Sequence, residues 1–289
     1  MIIWAIARTT VGDALRKKVL QIFLVVTIGL IVLSLSFSQT LSFSTRSGVS
    51  SDLMMLKSFG LGLMAVAGLF ISLVLGVSLI PQEIERRTIY TILSKPVKRY
   101  EFIVGKFLGA ILTLAVCIGL MGLVFVLVVL IKAWGAEQPA ATVGAEAAGG
   151  IGEVGTQPVK PFDANTVLGV LMIYMQFAVL SSVVLLFSVF LTPTVNFFMG
   201  AGVYMVGIMA SVTETLGKAE GANALLKGFY KVLYWIVPNF DKYNVTNQLI
   251  HPDPVANLAM HTFRVAVYTL LYALLMTVIA IIIFEKKEV

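Results

Sequence analysis

With 289 residues, 58% of them hydrophobic and only 12% charged, the chain lies far from the roughly 25% charged composition of soluble domains. A mean hydropathy of +0.95 marks an integral membrane protein. The net charge of +6 does not point to nucleic acid: no basic domain carries it, and basic residues accumulate in the cytoplasmic loops of membrane proteins. The one cysteine, Cys117, excludes an intrachain disulfide.

Residues 1–18 are too short and too polar to span. Trp4, Ala7, Val11, Ala14 and Leu15 recur at helical spacing, while Arg8, Asp13, Arg16 and Lys17 take other positions. This pattern predicts a helix lying in the membrane interface; the plainer alternative is a basic flank that only fixes topology. A helix of about 20 apolar residues crosses a bilayer, because lipid leaves every backbone polar group to be satisfied internally. Six stretches qualify: 19–37, 58–80, 107–131, 166–191, 196–212 and 265–284. The fifth is short and comes after a tight Thr192-Pro193-Thr194 turn, so the fourth and fifth are expected to pair as a helical hairpin. The first run is too long for a signal-peptide core and lacks a cleavage pattern, so it is expected to be retained.

Charge orients the chain. With the N-terminus inside, segments 1–18, 81–106, 192–195 and 285–289 hold 12 of the 21 Lys and Arg residues. The outer loops 38–57, 132–165 and 213–264 hold the remaining 9, spread over about twice the length. Both termini are therefore expected in the cytoplasm. The outer loop 132–165 is rich in Ala, Gly and Pro without periodicity, which predicts a flexible linker or insertion. In the outer loop 213–264, Leu225, Leu226, Phe229, Val232, Leu233 and Ile236 form one apolar face ending before Pro238. At about 14 residues it is too short to cross, so this outer region before the last span is expected to be re-entrant. His251-Pro252-Asp253-Pro254 reads as a rigid turn ahead of the last span.

No enzyme constellation emerges. A phosphate loop needs a glycine five residues before its Gly-Lys pair, but Tyr100 stands there before Gly105-Lys106, and Phe107 comes next where Ser or Thr belongs. His251 and His261 have no companion cluster, and Met54-Met55 reads as packing rather than as a soft-metal site. None of the six apolar cores carries Asp, Glu, Lys, Arg or His, the residues that ion-coupled transporters keep at membrane depth. Gln176 and Asn196 are the most polar groups there. No catalytic residue, metal or cofactor is expected, and any energy input is expected from another chain.

The stretch Pro81 to Lys106 stands out. It holds six of the 21 Lys and Arg residues, interleaved with Glu83, Glu85 and Glu101. Gln82 to Leu93 can form one short helix with Ile84, Thr88, Ile89, Ile92 and Leu93 on one half. Glu83, Arg86, Arg87 and Tyr90 cover the other half, and Glu83 can pair with Arg87 at i, i+4. Glu85 falls on the apolar half, which suits a groove in a protein better than lipid. Ser94-Lys95-Pro96 breaks the helix; Pro96 suits a first turn, and Glu101 suits the dipole of the next helix. Gly105 and Gly109 form a G-x-x-x-G at the mouth of the third span, where backbones can pack closely. The plain alternative is a solvated loop that sets topology.

The run E-I-E-R-R-T-I-Y-T-I-L-S-K-P-V-K-R-Y-E-F-I-V-G-K-F-L-G over residues 83–109 resembles the signature of type-2 ABC transporter permeases. It is most similar to the multi-copper-enzyme-maturation branch, which includes the nitrous-oxide-reductase accessory permease. The resemblance implies one all-α membrane domain over 1–289, with six transmembrane helices and an N-terminal interfacial amphipathic helix. It also implies a cytoplasmic coupling loop at 82–100 and outer re-entrant helices before the last span, in a prokaryotic cytoplasmic membrane. The coupling helix would dock in a cleft of a separate ABC ATPase subunit, whose closure rocks two copies of the permease. Glu83, Glu85, Arg86 and Thr88 match the docking positions, and Ser94 and Pro96 the bend. Arg87 stands where many relatives have Gly. Because the spans offer no charged site, the expected cargo is an amphipathic or apolar solute, or a lipid-like one that is extracted, moved by an exporter. The second reading is a non-transporting force transmitter or anchor for an extracytoplasmic protein; an ion-coupled transporter is the third.

Overall fold

Long apolar runs become helices because only helical backbone satisfies itself within a bilayer. The computed structural model describes residues 2–44, 49–79, 98–137, 164–210, 237–244 and 258–286. These form seven α-helices and one 3₁₀ turn, with no strand among the described residues. The helices are α1 (Ile2–Leu15), α2 (Lys18–Ser44), α3 (Val49–Leu79), α4 (Arg99–Glu137), α5 (Ala164–Ser188), α6 (Pro193–Ile208) and α7 (Leu258–Lys286). The 3₁₀ turn is Asp241–Tyr243. Five segments among the described residues are long and apolar enough to cross a membrane: Lys18–Ser36, Met55–Leu79, Arg99–Lys132, Thr166–Ser188 and Met260–Lys286. They match five of the six expected spans.

The sixth, expected at 196–212, is α6. Its 16 residues reach about 24 Å at 1.5 Å per residue, short of a hydrocarbon core about 30 Å thick. Pro193 stands in its first turn and supplies the fixed φ that starts a helix without needing a donor. The expected hairpin is present, since α5 and α6 pack together across the Val189–Thr192 turn. Most of the expected 132–165 loop and 213–264 region lies outside the described residues.

The core sits around α3 and α5. α3 packs on α2, α4, α5 and α6, and α5 packs on α3, α4, α6 and α7. Lipid is as apolar as leucine, so helices in a membrane hold together by close packing and hydrogen bonds rather than by water exclusion. One junction shows both. Val184 of α5 presses on Gly76 of α3, and a Cβ placed at Gly200 of α6 would lie 2.7 Å from Val184 and from Leu73. Beside it, the fully buried Asn196 donates from Nδ2 to the Gly76 carbonyl at 3.3 Å.

A chain of rings ties the opposite end of α6 to α7. Phe177, Tyr204, Phe240, Tyr243, Tyr268 and Tyr272 succeed one another with centroids 5.5–6.5 Å apart. The 237–244 segment is held between them. The Phe240 amide donates to the Gly207 carbonyl at 3.0 Å, and the Asn239 amide donates to the Tyr268 hydroxyl at 3.2 Å. Thr269 donates its hydroxyl hydrogen to the Val265 carbonyl, so the 2.7 Å contact between Tyr243 and Thr269 has Tyr243 as its donor. Burial pushes the Tyr243 phenol well above its ordinary range, outweighing the opposite pull of that hydrogen bond.

The Gly76 junction gives a measurable contrast. Gly76→Val drives a side chain into Val184 and should lower stability in detergent by about 1–3 kcal/mol. Gly119→Ala, where nothing lies within 4 Å, should be neutral or slightly stabilising. Thermal unfolding of the two variants checks the difference.

Candidate functional site

The charged stretch singled out by the sequence enters the described structure at Lys98. Glu83, Glu85, Arg86, Arg87, Thr88, Ser94 and Pro96 all lie outside the described residues. The start of α4, immediately after them in the chain, is built firmly into the bundle. α4 begins with a reciprocal cap, in which the Glu101 carboxylate accepts from the Lys98 amide at 3.1 Å and the Glu101 amide donates to the Lys98 carbonyl at 3.0 Å. An acidic residue in the first turn also complements the positive end of the helix dipole. Arg99 reaches across to the Glu285 carbonyl at 3.4 Å, and Phe102 stacks on Phe284 with centroids 6.0 Å apart. The first turn of α4 is therefore fastened to the last turn of α7.

One turn further along, α4 meets α1. A Cβ at Gly105 would lie 2.8 Å from Ile6 and 3.2 Å from the Ile3 carbonyl. A Cβ at Gly109 would lie 2.6 Å from Thr10 and 3.1 Å from the Ala7 carbonyl. Two helix backbones touch here, and only glycine leaves room. The polar groups at the contact are satisfied within their own helices: Thr10 donates to the Ile6 carbonyl at 2.7 Å and Thr113 to the Gly109 carbonyl at 2.8 Å. Lys106, only 6% exposed, lays its ammonium 5.6 Å from the centroid of the Phe102 ring.

Four of the five residues expected on one face of α1, Ala7, Val11, Ala14 and Leu15, do lie on the side it buries. Ala7, Thr10 and Ala14 are buried, and Ile3, Ile6, Val11 and Leu15 are partly buried, all on the side towards α4. Trp4, expected on the same face, is 64% exposed. The contact with α4 is set by small residues. The signal was present as Ala7, Thr10 and Ala14 at three- and four-residue spacing, but it has meaning only against the matching Gly105 and Gly109.

α1 ends where the chain turns into α2. The Gln21 side chain donates to the Leu15 carbonyl at 3.0 Å, taking up an acceptor freed at the end of α1. Lys17 donates to the Ser78 carbonyl at the end of α3, at 3.4 Å. The start of α2, the end of α3, the start of α4 and the end of α7 thus gather at one end of the bundle, together with α1. Arg8, Arg16, Lys17, Lys18, Lys98, Arg99 and Lys286 make that end basic.

Deeper in the bundle a cleft of about 230 Å³ lies among α3, α5, α6 and the 240–244 turn. Gly62, Ala65, Ile173 and Tyr204 wall it, and Gln176 and Asp241 supply polarity. Gln176 hydrogen-bonds to Tyr204, so the most polar side chain in the middle of α5 is paired. His261 contacts the Lys242 carbonyl through Nε2 at 3.1 Å, a loop-to-helix tie. His251 lies outside the described residues.

Five membrane-length helices among the described residues, with basic side chains gathered at one end, make this a multi-pass membrane domain. A family model for ABC-2 family transporter proteins matches residues 4–289, and the chain belongs to that family. The family makes it the membrane component of an ABC transporter and implies an ABC ATPase as its partner. Comparison with curated proteins gave no significant match.

The α1–α4 contact can be tested directly. Gly109→Leu should separate α1 from α4 and raise hydrogen exchange of the 2–15 amides at least tenfold. Gly119→Leu, ten residues along the same helix with open space around it, should leave that exchange unchanged.

Proposed function

We propose that this chain is the permease subunit of an ATP-driven exporter, driven by an ATPase on a separate chain. The observation that carries this reading is the ABC-2 family match across residues 4–289. The local architecture supports it: whatever contacts the charged stretch before Lys98 acts directly on the first turns of α4, where α1 and α7 are both attached. In this proposal the segment 82–100 is the coupling loop. Glu83, Glu85, Arg86, Arg87 and Thr88 dock in the ATPase, and Ser94 and Pro96 set the bend into α4. Two copies of the permease work with two ATPases in a prokaryotic cytoplasmic membrane.

The proposal includes a topology. α1 lies in the cytoplasmic interface with Trp4 at headgroup level, both termini are cytoplasmic, and α6 crosses as a short sixth span. Outer re-entrant helices precede α7. In this reading the run over residues 83–109 resembles most the multi-copper-enzyme-maturation branch, whose name does not supply a cargo. The cargo is an amphipathic or apolar solute, since none of the six apolar cores carries a charged residue to meet an ion at membrane depth.

One observation favours a second reading. The 237–244 segment is tied to both α6 and α7, so movement of the bundle reaches the opposite side through a firmly seated turn. This is what a force transmitter or anchor acting on an extracytoplasmic protein requires.

Purification from native membranes with the co-purifying ATPase, then reconstitution into vesicles, separates these readings. Glu85→Arg combined with Arg86→Glu should abolish stimulation of the ATPase while the permease still inserts and folds. Unchanged stimulation would overturn the coupling assignment. ATP turnover without solute flux in the wild-type complex would favour the force transmitter over the exporter.

A further inference from the structure

A second concavity lies at the basic end of the bundle, outside the α1–α4 contact. It measures about 430 Å³ and is an open groove between the start of α2, the end of α3, and α6. Lys17 and Lys18 line one end; Val19, Val74, Val77 and Phe197 form the walls. Ser78 closes the polar end through its carbonyl, which holds the Lys17 ammonium at 3.4 Å. The membrane-crossing part of α2 begins at Lys18, and Ser78 of α3 lies close to the end of the apolar run 58–80. The two lysines therefore sit at the level where the hydrocarbon stops, and the valines and Phe197 sit below it. Asp13 is the only acid close in sequence, against Arg16, Lys17 and Lys18, so the local balance is positive.

We infer that this groove is a binding site for an anionic phospholipid of the surrounding bilayer. The phosphate lies against Lys17 and Lys18, and one acyl chain runs along Val19, Val74, Val77 and Phe197. Each part of the ligand meets matching chemistry. The ammonium groups supply the cationic head site, and the apolar walls would bind neither a free phosphate nor water favourably. Basic pockets between membrane helices are the sequence-readable form of lipid headgroup recognition. Bound there, the lipid bridges α2, α3 and α6, three elements that meet at this end only around the groove. The inference needs the chain to be a membrane-spanning bundle; it does not depend on transport or on an ATPase.

Native mass spectrometry of the full chain in non-ionic detergent, titrated with phosphatidylglycerol or phosphatidylcholine, tests it. Two lysines near a lipid phosphate predict a preference for phosphatidylglycerol of roughly tenfold or more. Lys17→Gln with Lys18→Gln should reduce that binding to the phosphatidylcholine level, and Val77→Trp should weaken both lipids by filling the groove. Glycerol phosphate at millimolar concentration should not displace the lipid; displacement would mean a simple phosphate site and would overturn the assignment. Equal affinity for the two lipids, or undiminished phosphatidylglycerol binding in the lysine variant, would overturn it as well. Should that variant fail to fold, the wild-type chain at about 0.5 M NaCl decides: a phosphatidylglycerol preference that persists undiminished there sinks the proposal.

Discussion

In a bilayer, helices gain nothing from hiding apolar surface, because lipid is already apolar. What holds this bundle is the distance of closest approach, and that distance is set by residues with little or no side chain. Gly105 and Gly109 let α1 touch α4; Gly76 and Gly200 let Val184 seat α5 between α3 and α6. The buried polar groups add specificity at the same places. Asn196 donates to the carbonyl of Gly76, the residue whose missing side chain creates the room. Small residues and hydrogen bonds together replace the core that a soluble domain would build from bulk.

This division explains how the sequence could be read. The spans were legible because about 20 apolar residues in a row have one stable solution in lipid, and five of them were recovered. α6 was the hardest. Sixteen residues opened by Pro193 sit between a short span and a buried helix, and apolar periodicity does not separate the two. The hairpin with α5 was legible from the tightness of the Thr192-Pro193-Thr194 turn. Ala7, Val11, Ala14 and Leu15 of α1 were legible as one face, while Thr10 adds nothing to an apolar tally although it is buried beside them. The ring chain from Phe177 to Tyr272 had no sequence signal, since its members come from α5, α6, the 240–244 turn and α7 and become neighbours only once the chain folds.

The candidate site was legible in kind more than in detail. Charge density marked the stretch up to Lys106, and the small-residue pair marked Gly105 and Gly109. That the partner of this pair is α1 could not be read from residues 81–109, because the matching small face lies about 100 residues earlier. Its position gives the charged stretch a mechanical setting. The first two turns of α4 carry a reciprocal cap, an arginine tie to α7, a ring stack and a glycine contact with α1. A displacement applied there has several elements to carry along and little slack in which to be lost.

The pairing of α1 with α4 also bears on how the protein is made. α1 is synthesised before α4, and the surface it fits is completed only after α2, α3 and the start of α4 have followed. At roughly 5–20 residues per second, the interval between Ile6 and Gly109 is on the order of 5–20 s. Throughout that time α1 is a short amphipathic helix without α4 to pack on, and the membrane surface offers it an apolar environment. Its exposed Trp4 and Arg8 suit that wait, whereas Ala7, Thr10 and Ala14 suit the later docking. The two faces of α1 therefore suit two partners, α4 on the side of Ala7, Thr10 and Ala14 and lipid on the side of Trp4.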